Sequence, residues 1–120
     1  MRLFTACLLG ILLLAQAAPA AARPGSGSQS ATWIREAELP LDARETLALI
    51  RQGGPFPYAR DGAIFGNREG RLPFAARNTY REYTVKTPHS RDRGARRIVA
   101  GKNKFWYTTD HYRNFRLIVE

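Results

Sequence analysis

Past Gly53 the sequence carries no second helical pattern, and this limits the fold more than any other feature. Residues 41 to 51 (LDARETLALIR) hold one apolar stripe at helical spacing, with Ala43, Leu47 and Ile50 at i, i+4 and i+7. Asp42 with Glu45 three residues on resembles a capping box, and Gly53-Gly54 ends the run. Pro55 and Pro57 then forbid both helix and central strand, and Asp61-Gly62 signals a turn. Ala63-Ile64-Phe65 is a short strand candidate. After it the apolar period falls to two: in residues 80 to 86, Tyr83 and Val85 share one face while Glu82, Thr84 and Lys86 share the other. In residues 96 to 100, Arg97 and Val99 face opposite to Ile98; residues 105 to 108 and 115 to 119 continue the pattern. Short connections between successive strands imply antiparallel pairing. The expected class is α+β: one N-terminal helix packed on a four- to five-stranded antiparallel sheet.

The N-terminus is expected to be a secretory signal peptide. Met1-Arg2 is a minimal positive start, residues 3 to 15 are almost wholly apolar, and small residues with A-x-A patterns end at Ala20 or Ala22. The apolar run is short for a membrane span. The expected organisation is a signal peptide over 1–22, a leader over 23–38 that begins Gly/Ser-rich (RPGSGSQSA), and a catalytic domain over 39–120. Cleavage after Ala22 leaves 98 of the 120 residues, and the single cysteine, Cys7, leaves with the signal. The mature chain would then be secreted without a disulfide and with no stable membrane association, and it would have no thiol for nucleophilic or metal chemistry.

The formal charge is +9, or +8 once Arg2 is removed, and sixteen of the nineteen basic residues are arginine. The planar guanidinium fork matches phosphate oxygens, so the bias favours a phosphate-rich partner. A generic cationic surface for membranes or sulfated polysaccharides has the same charge. Only two histidines, His89 and His111, are present, no serine lies in a G-x-S-x-G context, and convincing zinc ligands are lacking. What remains is general acid–base chemistry, without metal or cofactor, on a substrate that carries its own nucleophile. RNA does so through its 2′-hydroxyl.

Glu82 is the candidate base, a carboxylate among residues of high β-propensity; read alone, it is equally a solvated charge on an open sheet face. Arg93, Arg96 and Arg97, in HSRDRGARR, are the candidate phosphate clamp, or a merely solvated basic loop. His111, in TTDHY, sits in a short inter-strand connection, where a lone histidine is more often structural; Tyr112 beside it offers a ring to pack the imidazole or a base. Phe65-Gly66-Asn67-Arg68-Glu69-Gly70 is the candidate base-reading loop, or an ordinary turn. Its glycines and Asn67 tolerate backbone angles that expose N–H groups. A carboxylate at Glu69 can accept from guanine N1–H and the exocyclic amine together, amides can donate to O6, and Phe65 can stack on the base.

In this order, PFPYARDGAIFGNREGRLP, REYTV, RDRGARRI and TTDHYRNF resemble the microbial guanyl-specific ribonucleases, the group containing barnase and ribonuclease Sa. The resemblance runs from about Leu39 to Val119. It implies Glu82 as general base, His111 as general acid, and Arg93 and Arg97 on the scissile phosphate. It further implies Glu69 as the guanine-binding carboxylate, Phe65 as the stacking residue, Asn67 and Arg68 as loop amides, and Tyr112 as the tyrosine after the acid. The implied reaction on single-stranded RNA is transphosphorylation to a 2′,3′-cyclic phosphate, then hydrolysis to a 3′-phosphate. The chain departs from the group in two respects. The cysteine pair of ribonuclease Sa is missing, and barnase's second helix and basic phosphate-contacting residue have no clear counterpart, for which Arg60 is a candidate substitute. The resemblance also implies an acidic, barstar-like protein inhibitor, and a monomer is expected. The alternative reading is a non-catalytic cationic RNA- or polysaccharide-binding protein on the same fold; a replaced Glu82 or His111 would be its mark, and both are present.

Overall fold

The computed structural model describes residues 32–120. The expected signal peptide and the Gly/Ser-rich stretch 23–31 lie outside the described residues. Strand β1 (Trp33–Arg35) leads through a 3-10 turn (Glu36–Glu38) into helix α1 (Leu41–Gln52). Five strands follow: β2 (Ala63–Ile64), β3 (Arg81–Thr84), β4 (Arg97–Ala100), β5 (Phe105–Thr108) and β6 (Arg116–Val119). They form one sheet in the order β1-β6-β5-β4-β3-β2. Pairing is antiparallel except at the β1–β6 edge, which is parallel.

The α+β class holds, with six strands rather than four to five. The additional strand, β1, falls inside the segment expected to be a leader over 23–38, so the ordered domain reaches back at least to Trp33. Ile34 is buried on the helix side of the sheet, and the Leu117 N–H donates to the Thr32 carbonyl at 2.9 Å.

Helix α1 forms as expected but is not capped as expected. Pro40 occupies the N-cap position and no side chain caps the helix. Asp42 lies within the first turn, where a carboxylate favours the positive end of the helix dipole, and it accepts a hydrogen bond from Arg96 at 3.3 Å. Glu45 is exposed. At the other end Gly53 adopts φ 87°, a left-handed angle that costs glycine little. This lets the N–H groups of Gly53 and Gly54 donate to the Leu49 carbonyl at 2.9 and 3.0 Å.

The sheet is buried on both faces. On one, Ala43 and Leu47 of the helix pack with Ile34, Leu39, Val85, Ile98 and Tyr107. On the other, Val99 and Trp106 pack with Leu72 and Tyr80, flanked by Phe65, Tyr112 and Phe115. Among the described residues this second, aromatic core has loops and no helix above it, and the polar residues of the site lie beside it. Leu47 is 0% exposed. Leu47→Ala should therefore cost about 2–5 kcal/mol in urea-induced unfolding; a loss below about 1 kcal/mol would contradict the described packing.

Candidate active site

Strand register builds the site. Glu82 pairs with Val99, Thr84 with Arg97, and Arg97 with Thr108, so these side chains share one sheet face across β3, β4 and β5. Glu82 is 8% exposed, which rules out the solvated charge on an open face. Its carboxylate is held from two sides. Oε2 accepts from the Tyr112 hydroxyl at 2.6 Å, and Oε1 lies 3.6 Å from Arg93 Nη2. Arg93 is held in turn, donating from Nε and Nη2 to Thr84 Oγ1 at 3.1 and 2.9 Å.

The three arginines expected as a clamp divide by strand parity. Arg93 and Arg97 turn to the Glu82 face. Arg96 turns to the helix side, where it donates to Asp42, to Thr87 and to the Lys86 carbonyl. Arg97 is 3% exposed and its Nη1 donates to the carbonyls of Gly94 and Arg96, each at 2.8 Å. Its Nε is buried without a hydrogen-bond partner among the described residues, and its guanidinium carbon lies 5.9 Å from the centre of the Tyr112 ring. A buried cation with an orphaned donor is costly unless an anion completes it. The loop that supplies its carbonyls depends on Gly94, at φ 65°, where a Cβ would collide with the Thr87 side chain.

His111 is presented by the turn between β5 and β6. His111 and Tyr112 both have positive φ, 55° and 70°, and two consecutive non-glycine residues in that region are strained. The turn is locked around Thr108 and Asp110. Thr108 Oγ1 donates to Asp110 Oδ1 and accepts from the Tyr112 N–H, while Asp110 accepts from the Asn114 backbone and side chain at 2.9 and 2.6 Å. Burial pushes the Asp110 carboxyl up, but the hydrogen bonds from Asn114 and Thr108 outweigh it and hold the group below its ordinary value. The His111 N–H donates to the Ala95 carbonyl at 2.9 Å, its side chain is exposed, and its ring centre lies 4.8 Å from that of Tyr112.

Phe65 stacks on Tyr112, with centroids 5.0 Å apart and planes at 25°, and meets Phe115 edge-on. It is therefore also part of the second core. Asn67, at φ 50°, spends its side chain closing the loop: Nδ2 donates to the Leu72 carbonyl and Oδ1 accepts from the Leu72 N–H, at 2.9 and 3.0 Å. Among the described residues the N–H groups of Gly66, Asn67 and Arg68 have no protein acceptor. Glu69 projects into solvent with its side chain 63% exposed, 3.9 Å from Arg71. Arg60 is exposed, and its side chain makes no hydrogen bond or ion pair with these groups among the described residues. The structure thus brings Glu82, Arg93, Arg97, Tyr112, His111 and Phe65 together, and leaves Arg60 apart.

A deep carboxylate, two arginines and a presented histidine beside a loop of free amides match a known group. The ribonuclease family's sequence model matches residues 22–119. Guanyl-specific ribonuclease St from Saccharopolyspora erythraea is 54% identical over 87 residues, 72% of this chain and 86% of that protein. Guanyl-specific ribonuclease Sa from Kitasatospora aureofaciens is 51% identical over 82 residues, 67% of this chain and 85% of that protein. A structure of ribonuclease Sa2 complexed with mononucleotides superposes with TM-score 0.71 at 46% identity, covering 72% of this chain and 92% of that one. The chain belongs to the ribonuclease family.

Two contributors to this ribonuclease site escaped the sequence reading. Asp61 accepts from the Thr84 N–H at 2.8 Å and the Tyr58 N–H at 3.2 Å, so it pins the residue on which Arg93 rests. Asp110 builds the turn that carries His111. Asp61 precedes Gly62 and Asp110 stands mid-way in TTDHY, so the only signal at either was that of a turn.

Burial, aided by the bond to Glu82, pushes the Tyr112 phenol up to about 12. A phenol raised in the folded state contributes stability that is fully present below the ordinary tyrosine value near 10 and is lost as pH rises toward about 12. A spectrophotometric titration should show one of the five phenols ionising near pH 12, and Tyr112→Phe should delete that step. Ordinary ionisation of all five would contradict the described bond.

Proposed function

We propose that this ribonuclease is a guanine-preferring endoribonuclease that cuts by transphosphorylation. Glu82 takes the proton from the guanosine 2′-hydroxyl, and the 2′-oxygen attacks phosphorus. His111, as imidazolium, protonates the departing 5′-oxygen. Arg93 and Arg97 stabilise the charge that gathers on the phosphoryl oxygens. The 2′,3′-cyclic phosphate is then hydrolysed with the two roles exchanged. One observation carries the reading: a buried carboxylate paired with Arg93 shares its sheet face with Arg97, a buried cation whose orphaned donor a phosphate would satisfy. The guanine preference is supported by the free amides of residues 66 to 68 and by guanyl-specific ribonucleases St and Sa at over 50% identity. Ribonuclease Sa2 has also been solved with guanosine-2′-cyclophosphate.

Glu69 is exposed, so its discrimination arises only when the bound base covers it. Adenine would then leave a desolvated carboxylate without donors. Phe65 is the stacking surface for the base and also packs against Tyr112. Exported through its N-terminal signal, the chain acts outside the cell as a monomer on single-stranded RNA. An acidic, barstar-like protein is the kind of inhibitor that this cationic site would accept.

The first test is kinetic. kcat/KM on GpU should follow a bell-shaped pH profile, and His111→Gln should lower it by about 10²–10⁴-fold. Near-wild-type cleavage by a folded His111→Gln protein would remove His111 from the chemistry. EDTA should change nothing, whereas polymeric RNA should bind less tightly as salt rises.

The second test separates recognition from stacking. Glu69→Ala should erode the preference for GpU over ApU and UpU. Phe65→Ala should weaken all three while keeping their order, and it should also lower the melting temperature. Full guanine preference in Glu69→Ala would mean that the loop is misassigned. No cleavage of any substrate by the wild type would favour a non-catalytic binder.

A further inference from the structure

Against the base-reading loop lies a groove of about 410 Å³, within the range of about 300–1,000 Å³ typical of ligand pockets. One wall is the loop from Ile64 to Arg68; the other is the segment from Phe74 to Tyr80. Glu82, Arg93, Arg97, His111 and Tyr112 do not line it. Both walls are anchored. The Phe65 N–H donates to the Tyr80 carbonyl, and Asn67 clasps Leu72. The Pro73 carbonyl accepts from the Tyr80 hydroxyl, and Thr79 closes its turn through backbone and hydroxyl onto the Ala76 carbonyl.

On this anchored backbone stands Phe74, 99% exposed, the most solvated large hydrophobic among the described residues. It follows buried Leu72 and bound Pro73, so the backbone beneath an uncovered ring is held rather than loose. The groove also carries Arg68, Arg77 and Asn78, and no carboxylate lines it. An exposed aromatic ring in a groove that also carries guanidinium groups is the kind of surface on which single-stranded nucleic acid stacks its bases and rests its phosphates.

We propose that this groove is a second nucleotide subsite, which takes the base on the 5′ side of the guanosine, with Phe74 as its stacking platform and Arg77 on the intervening phosphate. The proposal rests on the reading of residues 65 to 69 as the guanine loop. The scissile phosphate, on the 3′ side of the guanosine, belongs beside Glu82. A chain leaving that guanosine through its 5′-oxygen leads away from the scissile phosphate, and the groove, which shares the loop as one wall and none of the catalytic side chains, is the surface offered to it. A base has a π-face whatever its identity, so the subsite strengthens binding without a sharp choice of neighbour.

The test compares GpU, pGpU, ApGpU and UpGpU as substrates. In the wild type, kcat/KM for ApGpU and UpGpU should exceed that for GpU by about tenfold, the scale of one stacked base. Phe74→Ala should abolish that gain and leave GpU unchanged. Arg77→Ala should remove the smaller gain of pGpU over GpU. Equal rates on GpU and ApGpU in the wild type would overturn the subsite while leaving the cleavage reading intact, as would a loss on GpU in Phe74→Ala equal to that on ApGpU. A parallel binding titration uses the uncleavable deoxy compounds, comparing dApdG 3′-phosphate with dG 3′-phosphate. It should show about tenfold tighter binding of the longer one, lost in Phe74→Ala, even if no substrate is cut. Equal affinity overturns the subsite. So does a wild-type dimer in sedimentation that Phe74→Ala disrupts, because the ring would then belong to a contact between copies.

Discussion

A guanidinium buried in the sheet face is the constraint around which the rest of the site is arranged. Arg97 occupies the middle of a three-strand row, between Thr84 and Thr108, with almost no solvent to hydrate its charge. Burying a cation is costly, and the usual remedy is a hydrogen-bonded carboxylate. Here the nearest counter-charge machinery is organised otherwise. Glu82 faces Arg93 and Tyr112, and Arg97 is held by backbone carbonyls of its own loop and by the face of an aromatic ring. Carbonyl dipoles tolerate the charge without neutralising it. The face therefore keeps an excess of positive potential, at some expense in stability.

The same trade is visible in the turn that carries His111. Two adjacent residues in the left-handed region cost of order 1–3 kcal/mol each and persist only where their surroundings over-determine them. Thr108 and Asp110 provide that surround, satisfying the Tyr112 and Asn114 N–H groups from within the turn. A relaxed turn would not set the His111 ring against Tyr112 while Tyr112 reaches back to Glu82. The strain is thus localised at the point where the His111 ring and the Glu82 carboxylate meet through Tyr112.

What the sequence made legible was whatever depends on local periodicity. The helix, the face shared by Glu82 and Thr84, and the opposition of Arg97 to Ile98 all follow from spacings of 3.6 and 2, and all are found. Long-range pairing was not legible. β1 is three residues long, too short to show a period, and its partner β6 lies more than eighty residues away along the chain. The clamp illustrates the same boundary. Arg96 and Arg97 are indistinguishable by composition, and only the pleat sends one to Asp42 and the other to the site. The expected capping box failed because Pro40, with its fixed φ, had already taken the helix start. Asp61 and Asp110 escaped notice because a carboxylate that binds backbone N–H groups has the same sequence signature as any turn aspartate.

The second core ties the loop of free amides to the buried carboxylate. Phe65 opens the loop of free amides, yet its ring lies on Tyr112, and the Tyr112 hydroxyl holds Glu82. Tyr112 is in turn set by the strained turn of His111 and lies beneath the Arg97 guanidinium. A single phenol therefore touches the stacking ring, the carboxylate, the buried cation and the histidine. Among the described residues no helix covers this face, so the aromatic cluster both seals the sheet and fixes the spacing between the loop and the carboxylate. A side chain at position 112 has to be large, flat and able to donate one hydrogen bond at its far end. Among the aromatic residues, only tyrosine combines a six-membered ring with a donor at its tip.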